Sequence, residues 1–450
     1  MVAFLACLKA GIVAVPVFPP DPTRRETLVM FSRIVDGCGA THALTSVTYN
    51  YTKKLASIGK RKQWPSHLVW MVTNDRKSPR HTFEQCPLFS DDTAFLQYTS
   101  GSTSDPKGVM ITHGNLAHNL TIITQELSAG EDTVVVSWLP QYHDMGLIGS
   151  YLGVLYCGGS GYYMSPLSFL QRPMLWMEAV SKYQGTHLQA PNFAFKLTAR
   201  KTFPEKLDLS SVRHVINGAE PVDEDSMESF YKAFGKFGLK KDVIFPTYGL
   251  AEHTVFVCSG GKQRLSVVKT TLEVEGLVKI VDDDAGNNNV DVTRLVGCGY
   301  PGRQGVDVKI VNTDTHEALG DDMVGEIWIQ SPSKAAGYFG KPEQTKEDFH
   351  AQLSEGETKD GYLRSGDLGF LHNEELFICG RLKDLIIVGG RNYYPQDIEA
   401  TAEASSDLLR PGCSAAFTID PTHEGGEEVA LVAELREVPN DKVSLLSDGH

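Results

Sequence analysis

Between about residues 93 and 257, the chain alternates short runs of β-branched residues with longer amphipathic stretches. The apolar runs predict strands at residues 133–136, 212–216 and 242–245. The amphipathic stretches predict helices at residues 145–156, 173–183 and 223–237. Alternation of this kind favours α/β layers around a largely parallel sheet.

The pattern changes after about residue 294, where closely spaced apolar runs are joined by turns. The runs at residues 306–311, 325–330 and 376–379 predict a smaller β subdomain. Near the start of the chain, the pattern predicts a helix followed by a strand at residues 12–18. We therefore expect an α/β fold with a large N-terminal domain at residues 1–380, whose β subdomain is 294–380, and a small α/β domain at residues 381–450.

Composition limits the class of ligand. The 450 residues are 41% hydrophobic and 22% charged, as in ordinary globular proteins with a sizeable core. The formal net charge of −14 disfavours a nucleic-acid partner, because nonspecific binding to a phosphate backbone depends on clustered lysine and arginine. We therefore expect a small-molecule ligand and no nucleic acid.

The cysteines indicate the cellular compartment. All eight stand singly, with no C-x-x-C pair and no histidine at zinc spacing, which is typical of a reducing compartment. Lys9 and Gly11 interrupt the first apolar run, which therefore does not resemble a signal peptide. No uninterrupted apolar segment has the length of a membrane span. The sequence predicts a cytoplasmic protein with no transmembrane segment.

A hydroxyl-rich loop follows the apolar run at residues 95–98 and ends in a lysine just before the next apolar run. Small residues let backbone N–H groups approach phosphate oxygens, the hydroxyls add donors, and the lysine adds a positive charge. The lysine of the P-loop in NTPases opens a helix, so this is a different phosphate loop. A surface turn rich in serine and glycine is the alternative. The predicted ligands of the β- and γ-phosphates are Thr99, Ser100, Gly101, Ser102, Thr103 and Lys107.

Four further motifs lie downstream, at residues 218–221, 246–252, 362–369 and 380–387. Tyr248 offers a flat face for adenine, and Gly249 leaves room beside it. Glu252 is a hard oxygen ligand of the kind that Mg²⁺ prefers. Asp367 has two acceptor oxygens for the ribose hydroxyls, and Arg381 could support the same sugar. The other candidates for nucleotide binding are Gly218, Ala219, Glu220, Thr247 and Ala251.

A glycine pattern at residues 297–302 also fits G-x-G-x-x-G, the fingerprint of dinucleotide binding. Pro301 and a strand-like run follow it, whereas the fingerprint requires a helix there. We therefore interpret these glycines as turn residues, and the pattern does not indicate a dehydrogenase.

In order and spacing, the phosphate loop and the four motifs resemble the adenylate-forming (AMP-binding) superfamily, which activates carboxylic acids with ATP. The resemblance covers nearly the whole chain. It implies a large AMP-binding domain followed by a small C-terminal lid domain, and against this pattern both ends of the chain look truncated. It also implies ATP and Mg²⁺ as cofactors and catalytic roles for His143, which would orient the carboxylate, Glu252, and Lys383, which would lie at the hinge.

Some details resemble one branch, the fatty acyl-AMP ligases, which pass the acyl-adenylate to a carrier protein. These are residues 137–147, residues 391–399, and Ala251 where many relatives have threonine. The segment between Glu252 and Gly299 is longer than acyl-CoA synthetases usually have. In fatty acyl-AMP ligases, such an insert is held to oppose the use of CoA.

The resemblance implies a ligase of fatty acid and lipid metabolism that converts a fatty acid and ATP to acyl-AMP and pyrophosphate. The implied acceptor is an acyl carrier protein or a polyketide synthase module. A long-chain acyl-CoA synthetase and a non-catalytic domain that senses acyl groups or nucleotides are the alternatives. The superfamily's adenylating lysine lies in a Lys-Thr-x-x-Gly-Lys-like segment, and none follows Glu399. We therefore expect this chain to bind its substrates better than it catalyses.

Overall fold

The computed structural model describes residues 1–58, 64–74, 86–99, 106–201, 204, 206–282, 291–356, 358–388, 391–406, 408–419 and 428–436. The chain forms two compact units. The first unit contains residues 1–262, 298–309 and 328–365, and the second contains residues 263–297, 310–327 and 366–450. The domain boundary expected between residues 380 and 381 stays a prediction.

The helices of the described residues are α1 (Val2–Lys9), α2 (Arg25–Cys38), α3 (Val47–Ala56), α4 (His113–Glu126), α5 (Gly153–Cys157), α6 (Pro166–Gln171), α7 (Met174–Tyr183), α8 (Asn192–Ala199), α9 (Glu224–Phe234), α10 (Lys269–Glu275), α11 (Pro342–Phe349) and α12 (Pro395–Ser405). A π-helical stretch, Met145–Leu152, continues directly into α5. At the start of α4, Thr112 and Asn115 exchange side chain–backbone hydrogen bonds, which satisfy N–H groups that a helix end leaves open. None of the helices in the described part of the chain combines the length and hydrophobicity that crossing a membrane requires.

The strands of the described residues are β1 (His42–Thr45), β2 (Val69–Val72), β3 (Thr93–Thr99), β4 (Lys107–Thr112), β5 (Val134–Ser137), β6 (Ser160–Tyr163), β7 (His187–Pro191), β8 (His214–Gly218), β9 (Ile244–Tyr248), β10 (Cys258–Ser259), β11 (Arg264–Val268), β12 (Ile280–Val281), β13 (Val292–Gly299), β14 (Asp307–Val311), β15 (Gly325–Gln330), β16 (Leu363–His372), β17 (Glu375–Arg381), β18 (Ile386–Val388), β19 (Arg391–Tyr393), β20 (Leu409–Ile419) and β21 (Glu428–Leu435). Two of them, β3 and β4, form an antiparallel hairpin in the first unit. Another two, β1 and β2, pair in parallel.

The main sheet of the first unit has six strands in the order β10-β9-β8-β7-β5-β6. Neighbours from β6 to β9 run parallel, and only β10 at the edge is antiparallel. The predicted α/β layer with a largely parallel sheet is therefore confirmed, and its predicted elements agree to within a few residues at their ends. This sheet carries several of the predicted site residues at the carboxyl ends of β8 and β9.

Buried aromatic rings form the core beside this sheet. The ring of Trp138 stacks on Phe169 with centroids 4.0 Å apart. Trp176 is fully buried, and its indole N–H donates to the backbone oxygen of Val136 at 3.0 Å, which ties α7 to β5. Rings of this size each remove a large apolar area from water, so the cluster holds the helices firmly against the sheet.

Seven strands form another large sheet, in the order β12-β11-β13-β17-β16-β15-β14. The predicted β-rich texture after about residue 294 is confirmed. The stacked rings of Phe370 and Phe377 lie in its core with Val267, Leu272 and Tyr394. Two antiparallel pairs, β18 with β19 and β20 with β21, follow the sheet in the chain.

The strand predicted at residues 12–18 is wrong. Only Ala14 pairs there, in a single bridge with Phe95, through bonds of 2.8 Å and 3.3 Å to Leu96 and Ala94. The next bonding position along a parallel strand is Pro16, which has no N–H to donate. The apolar pattern is that of a strand, but Pro16 ends the backbone pairing after one residue.

The turn interpretation of the G-x-G-x-x-G pattern is confirmed. Residues 301–304 form a short 3₁₀ turn, and the strand β14 follows within a few residues. A single 3₁₀ turn lacks the length of the helix whose N-terminus holds a pyrophosphate in the dinucleotide fold.

Candidate active site

The hairpin of β3 and β4 carries the predicted phosphate loop. Thr99 pairs with Lys107 and Tyr98 with Gly108, so Thr99 and Lys107 stand opposite each other where the loop leaves the strands. A Cβ on Gly108 would lie 2.9 Å from the Tyr98 ring, which explains a glycine at this position of the strand. The predicted phosphate ligands outside the described residues are Ser100, Gly101, Ser102 and Thr103.

The carboxyl ends of β8 and β9 bring together residues of two predicted nucleotide motifs. A Cβ on Gly218 would lie 2.9 Å from the backbone oxygen of Thr247 on the neighbouring strand. The hydroxyl of Thr247 lies 2.8 Å from that of Ser259 on β10. Ligands of open α/β sheets bind at the carboxyl ends of their strands. The two motifs therefore meet where such a sheet offers a site.

The two residues after β8, Ala219 and Glu220, are each held in one conformation. Ala219 has a φ of 69°, in the left-handed region, which costs a residue with a side chain about 1–3 kcal/mol. Oε1 of Glu220 accepts a hydrogen bond from the backbone N–H of Phe193 in the first turn of α8. A carboxylate is stabilised at a helix N-terminus. Glu220 thus anchors the loop to α8, and its role in nucleotide binding stays a prediction.

Gly249 lies in a space that its own loop fills. A Cβ at this position would lie 1.8 Å from the backbone oxygen of Val255. The neighbouring Tyr248 is only 8% exposed, and Ala251 is also buried. Gly249 is therefore required by the return of the chain toward Val255, and stacking of adenine on Tyr248 stays a prediction.

Glu252 is the predicted metal ligand and lies in the 3₁₀ turn Ala251–His253. The hydroxyl of Tyr338 donates to its Oε1 at 2.9 Å. The backbone N–H of Ala335 donates to its backbone oxygen, also at 2.9 Å. Burial, and then the neighbouring Glu252 carboxylate, raise the pKa of Tyr338, so the phenol keeps its proton and stays a donor.

His253 locks the turn from its buried side. Its Nδ1 lies 2.7 Å from the backbone oxygen of Phe256, which can only accept, so Nδ1 carries the proton. Its Nε2 lies 2.6 Å from the hydroxyl of Ser331 and accepts from it. Burial lowers the pKa of His253 to about 4, which keeps the imidazole neutral. The amide of Asn119 bonds both backbone groups of Phe256, at 2.9 Å and 3.2 Å, and completes this fixed turn.

The segment that meets the Glu252 turn is itself tied down. Nδ2 of Asn115 donates to the backbone oxygens of Pro332 and Lys334 at 2.9 Å and 2.8 Å. The ammonium of Lys334 donates three hydrogen bonds of 2.7–2.8 Å. Burial lowers the pKa of Lys334, and Asp360 opposes this shift. The three acceptors are the backbone oxygens of Phe349, Asp360 and Gly361.

His143 precedes the π-helical stretch and is half-exposed. Its Nδ1 lies 2.8 Å from Oδ1 of Asp144. Desolvation lowers the pKa of His143. The hydrogen bond to Asp144 and the negative charge of that carboxylate together raise the pKa by more, so it lies above its usual value. The imidazole therefore carries a positive charge more readily than an isolated histidine, which favours contact with a carboxylate. That role stays a prediction.

The second unit holds the predicted ribose residues. Asp367 and Arg381 are cross-strand partners on β16 and β17, with Nε of the arginine 3.3 Å from Oδ1 of the aspartate. Asp367 is buried, whereas Arg381 is exposed. Lys383 is exposed in the turn that follows β17. The structure brings Asp367 and Arg381 together, and the predicted roles of all three stay predictions.

The site chemistry fits Mg²⁺ bound with a nucleotide. Among the described residues, no group of three or more histidine, cysteine, aspartate or glutamate side chains could form a metal cage. Mg²⁺ is commonly bound by one or two carboxylates together with substrate phosphates, and it keeps several waters. One carboxylate, Glu252, on a fixed turn matches that requirement.

Sequence reasoning missed Tyr338 and His253 as site residues. The segment at residues 337–340 has the glycines and aromatics of an ordinary turn, and nothing in it points to Glu252, which lies 86 positions earlier. The signal for His253 was its place directly after a predicted metal ligand. A buried histidine beside a ligand is often there to fix the turn.

Comparison with known proteins identifies the family of this chain. Residues 1–339 match the AMP-binding enzyme family. The chain is 41% identical to the medium-chain-fatty-acid–acyl-carrier-protein ligase JamA of Moorena producens, over 96% of this chain and 73% of JamA. It is 36% identical to the long-chain-fatty-acid–AMP ligase FadD32 of Mycobacterium marinum, over 93% of this chain and 68% of that protein.

A solved structure shows the same fold. The fatty acyl-adenylate ligase of L. pneumophila, solved in complex with acyl adenylate and pyrophosphate, is 38% identical to this chain. The match covers 97% of this chain and 74% of that one, with a TM-score of 0.77. This chain belongs to the AMP-binding enzyme family and, within it, to the fatty acyl-AMP ligases.

Proposed function

We propose that this chain activates a fatty acid with ATP, forming acyl-AMP and pyrophosphate. The observation that carries the proposal is that Lys107 and Glu252 both contact Tyr338 in the first unit. A cation for the phosphates and a hard oxygen ligand for a metal are the two groups that a triphosphate needs. The similarity to a ligase solved with acyl adenylate and pyrophosphate supports the same reaction.

In this reaction a carboxylate oxygen of the fatty acid attacks the α-phosphorus of ATP. A bond forms between that oxygen and phosphorus, the bond from phosphorus to the pyrophosphate oxygen breaks, and no net proton is needed. Lys107 holds the β- and γ-phosphates and offsets their charge as they leave. Glu252 would hold Mg²⁺, which would supply further neutralisation of the phosphate charge. His143 orients the attacking carboxylate.

The adenosine is assigned to the remaining predicted residues. Tyr248 and the turn at residues 218–220 lie on either face of the adenine. Thr247 and Ala251 pack beside Tyr248 in the same motif. Asp367 accepts hydrogen bonds from the ribose hydroxyls, and Arg381, its ion-pair partner, supports the same sugar. Lys383 lies at the hinge of a lid domain that spans residues 381–450.

The acceptor of the acyl group is proposed to be an acyl carrier protein or a polyketide synthase module. JamA is named as a ligase for an acyl carrier protein, and the long segment between Glu252 and Gly299 agrees with that choice. The enzyme is proposed to be cytoplasmic, because the eight cysteines stand singly along the sequence with no C-x-x-C pair, as is typical of a reducing compartment.

Mass spectrometry tests the reaction and the acceptor together. With ATP, Mg²⁺ and a medium-chain fatty acid, we expect acyl-AMP to accumulate, and added CoA to remain unacylated. A phosphopantetheine-bearing carrier protein should become acylated under the same conditions. Abundant acyl-CoA would establish a synthetase instead, and ATP binding without pyrophosphate release would establish a non-catalytic sensor.

Lys107→Ala should weaken ATP binding by a factor of roughly 5 to 150, because one charge-assisted phosphate contact contributes about 1–3 kcal/mol. Tyr248→Ala should have an effect of the same size through the lost stacking face. Calorimetric titration measures both. Lys232→Ala, on the exposed surface of α9, is the matched control. Unchanged affinity in the two site variants would refute the assignment.

A further inference from the structure

Tyr338 contacts both of the charged residues assigned to the triphosphate. Its hydroxyl donates to Oε1 of Glu252 at 2.9 Å. On the same side chain, the ring centroid lies 4.6 Å from Nζ of Lys107. A cation within about 6 Å of an aromatic ring is attracted to its π face. One residue therefore makes a directional bond to the carboxylate and a face contact to the cation.

The tyrosine is itself held in place. It is only 6% exposed, and its ring meets the ring of Phe349 edge-on at 5.0 Å. Its backbone N–H donates to the hydroxyl of Thr345 at 2.9 Å. A side chain packed on one face and bonded at its backbone has a single position from which to act.

The backbone around Tyr338 also pairs with the strand that carries Lys107. Tyr338 bridges Val109, and the N–H of Met110 donates to the oxygen of Gly337 at 2.8 Å. The N–H of Phe339 donates to the oxygen of Gly108, also at 2.8 Å. The spacing between the base of the phosphate loop and the Tyr338 ring is therefore set by backbone pairing, which does not depend on exposed side chains.

We propose that Tyr338 is a positioning residue that holds both the Glu252 carboxylate and the Lys107 ammonium in place for the Mg²⁺-bound triphosphate of ATP. This inference rests on the proposed function. The hydroxyl occupies one acceptor direction of Oε1 and so fixes the plane of the carboxylate. The ring face limits the positions open to the ammonium. Tyr338 acts through these two residues and needs no contact with the substrate.

Two substitutions separate the two contacts. Tyr338→Phe removes the hydroxyl and keeps the ring, so the Mg²⁺ concentration for half-maximal pyrophosphate release should rise about 10–100-fold, as when an outer partner of a metal ligand is lost. The KM for ATP at saturating Mg²⁺ should stay unchanged. Tyr338→Leu removes the ring as well, so the KM for ATP should also rise several-fold. A general loss of structure would not divide the two parameters in this way.

Binding gives a readout that does not depend on turnover. Calorimetric titration with α,β-methylene-ATP at several Mg²⁺ concentrations should show the same shift for Tyr338→Phe. In the background of Glu252→Gln, Tyr338→Phe should add no further shift in the Mg²⁺ dependence, because the carboxylate charge that the hydroxyl orients is already gone. Additive losses in the double variant would overturn the proposal.

Tyr362→Phe is the matched control. The hydroxyl of Tyr362 also donates to a carboxylate oxygen, that of Asp307, at 2.7 Å in the same unit, but neither residue is assigned to the site. It should leave the Mg²⁺ dependence unchanged, and urea unfolding of both variants shows whether each is folded. Wild-type protein that fails to bind α,β-methylene-ATP would refute the proposed function. Wild type that binds, with an unchanged Tyr338→Phe variant, would refute only the role of Tyr338.

Discussion

Glu252→Gln should lower the rate of pyrophosphate release about 10²–10³-fold, equivalent to about 3–4 kcal/mol of transition-state stabilisation. The amide keeps nearly the same size and still offers an oxygen to the hydroxyl of Tyr338, so the turn should remain folded. What it loses is the negative charge that attracts Mg²⁺. Because the substitution weakens Mg²⁺ binding, raising the Mg²⁺ concentration should recover part of the rate.

Coupled pyrophosphate detection across a Mg²⁺ titration measures this effect. Glu131→Gln makes the same chemical change at an exposed position in a turn and should behave as wild type. ATP binding measured without Mg²⁺ should differ little between Glu252→Gln and wild type. A Glu252→Gln variant that turns over normally at low Mg²⁺ would show that another group holds the metal.

Gly249→Ala should lower activity about 100-fold and reduce the free energy of unfolding by about 1–3 kcal/mol. The new Cβ would lie 1.8 Å from the backbone oxygen of Val255, so the backbone must move. The movement falls between Tyr248 and Glu252, the residues assigned to adenine and Mg²⁺. Displacement of a catalytic group by about 1 Å is enough to cost about 10²-fold in rate.

Urea unfolding and pyrophosphate release measure the two effects of Gly249→Ala separately. Gly302→Ala is the control, because a Cβ there meets no heavy atom within 4 Å. It should change neither stability nor rate by a measurable amount. If Gly249→Ala were as stable and as active as Gly302→Ala, the tight return of the loop would have no functional consequence.

Much of the fold followed from local patterns, because buried strands and amphipathic helices carry their periodicity in consecutive residues. The parallel strands at residues 134–137 and 214–218 were predicted to within a few positions. The failed strand at residues 12–18 has the same apolar character. There a proline removed one backbone donor, and a local pattern of hydrophobicity contains no information on hydrogen bonding.

The candidate site divides in a similar way. Residue types such as Lys107 and Glu252 could be named from the sequence, since phosphate and Mg²⁺ require a cation and a hard oxygen. Their partners could not, because Tyr338 reaches Glu252 across 86 positions of chain. Asn115 likewise meets the backbone of Pro332 across 217 positions. Such contacts depend on how distant segments pack, which spacing along the chain does not encode.

The bonding of Lys334 has a consequence for a protein that makes an activated acid. An acyl-adenylate is a mixed anhydride, and it acylates amines that present a free lone pair. Taken alone, the lowered pKa of Lys334 would favour the neutral amine, next to Ala335, whose N–H bonds the backbone of Glu252. All three ammonium protons, however, are donated to backbone oxygens within 2.8 Å, so losing one would break a bond and expose a carbonyl. The three acceptors therefore oppose the deprotonation that an acyl-adenylate would need in order to acylate this amine.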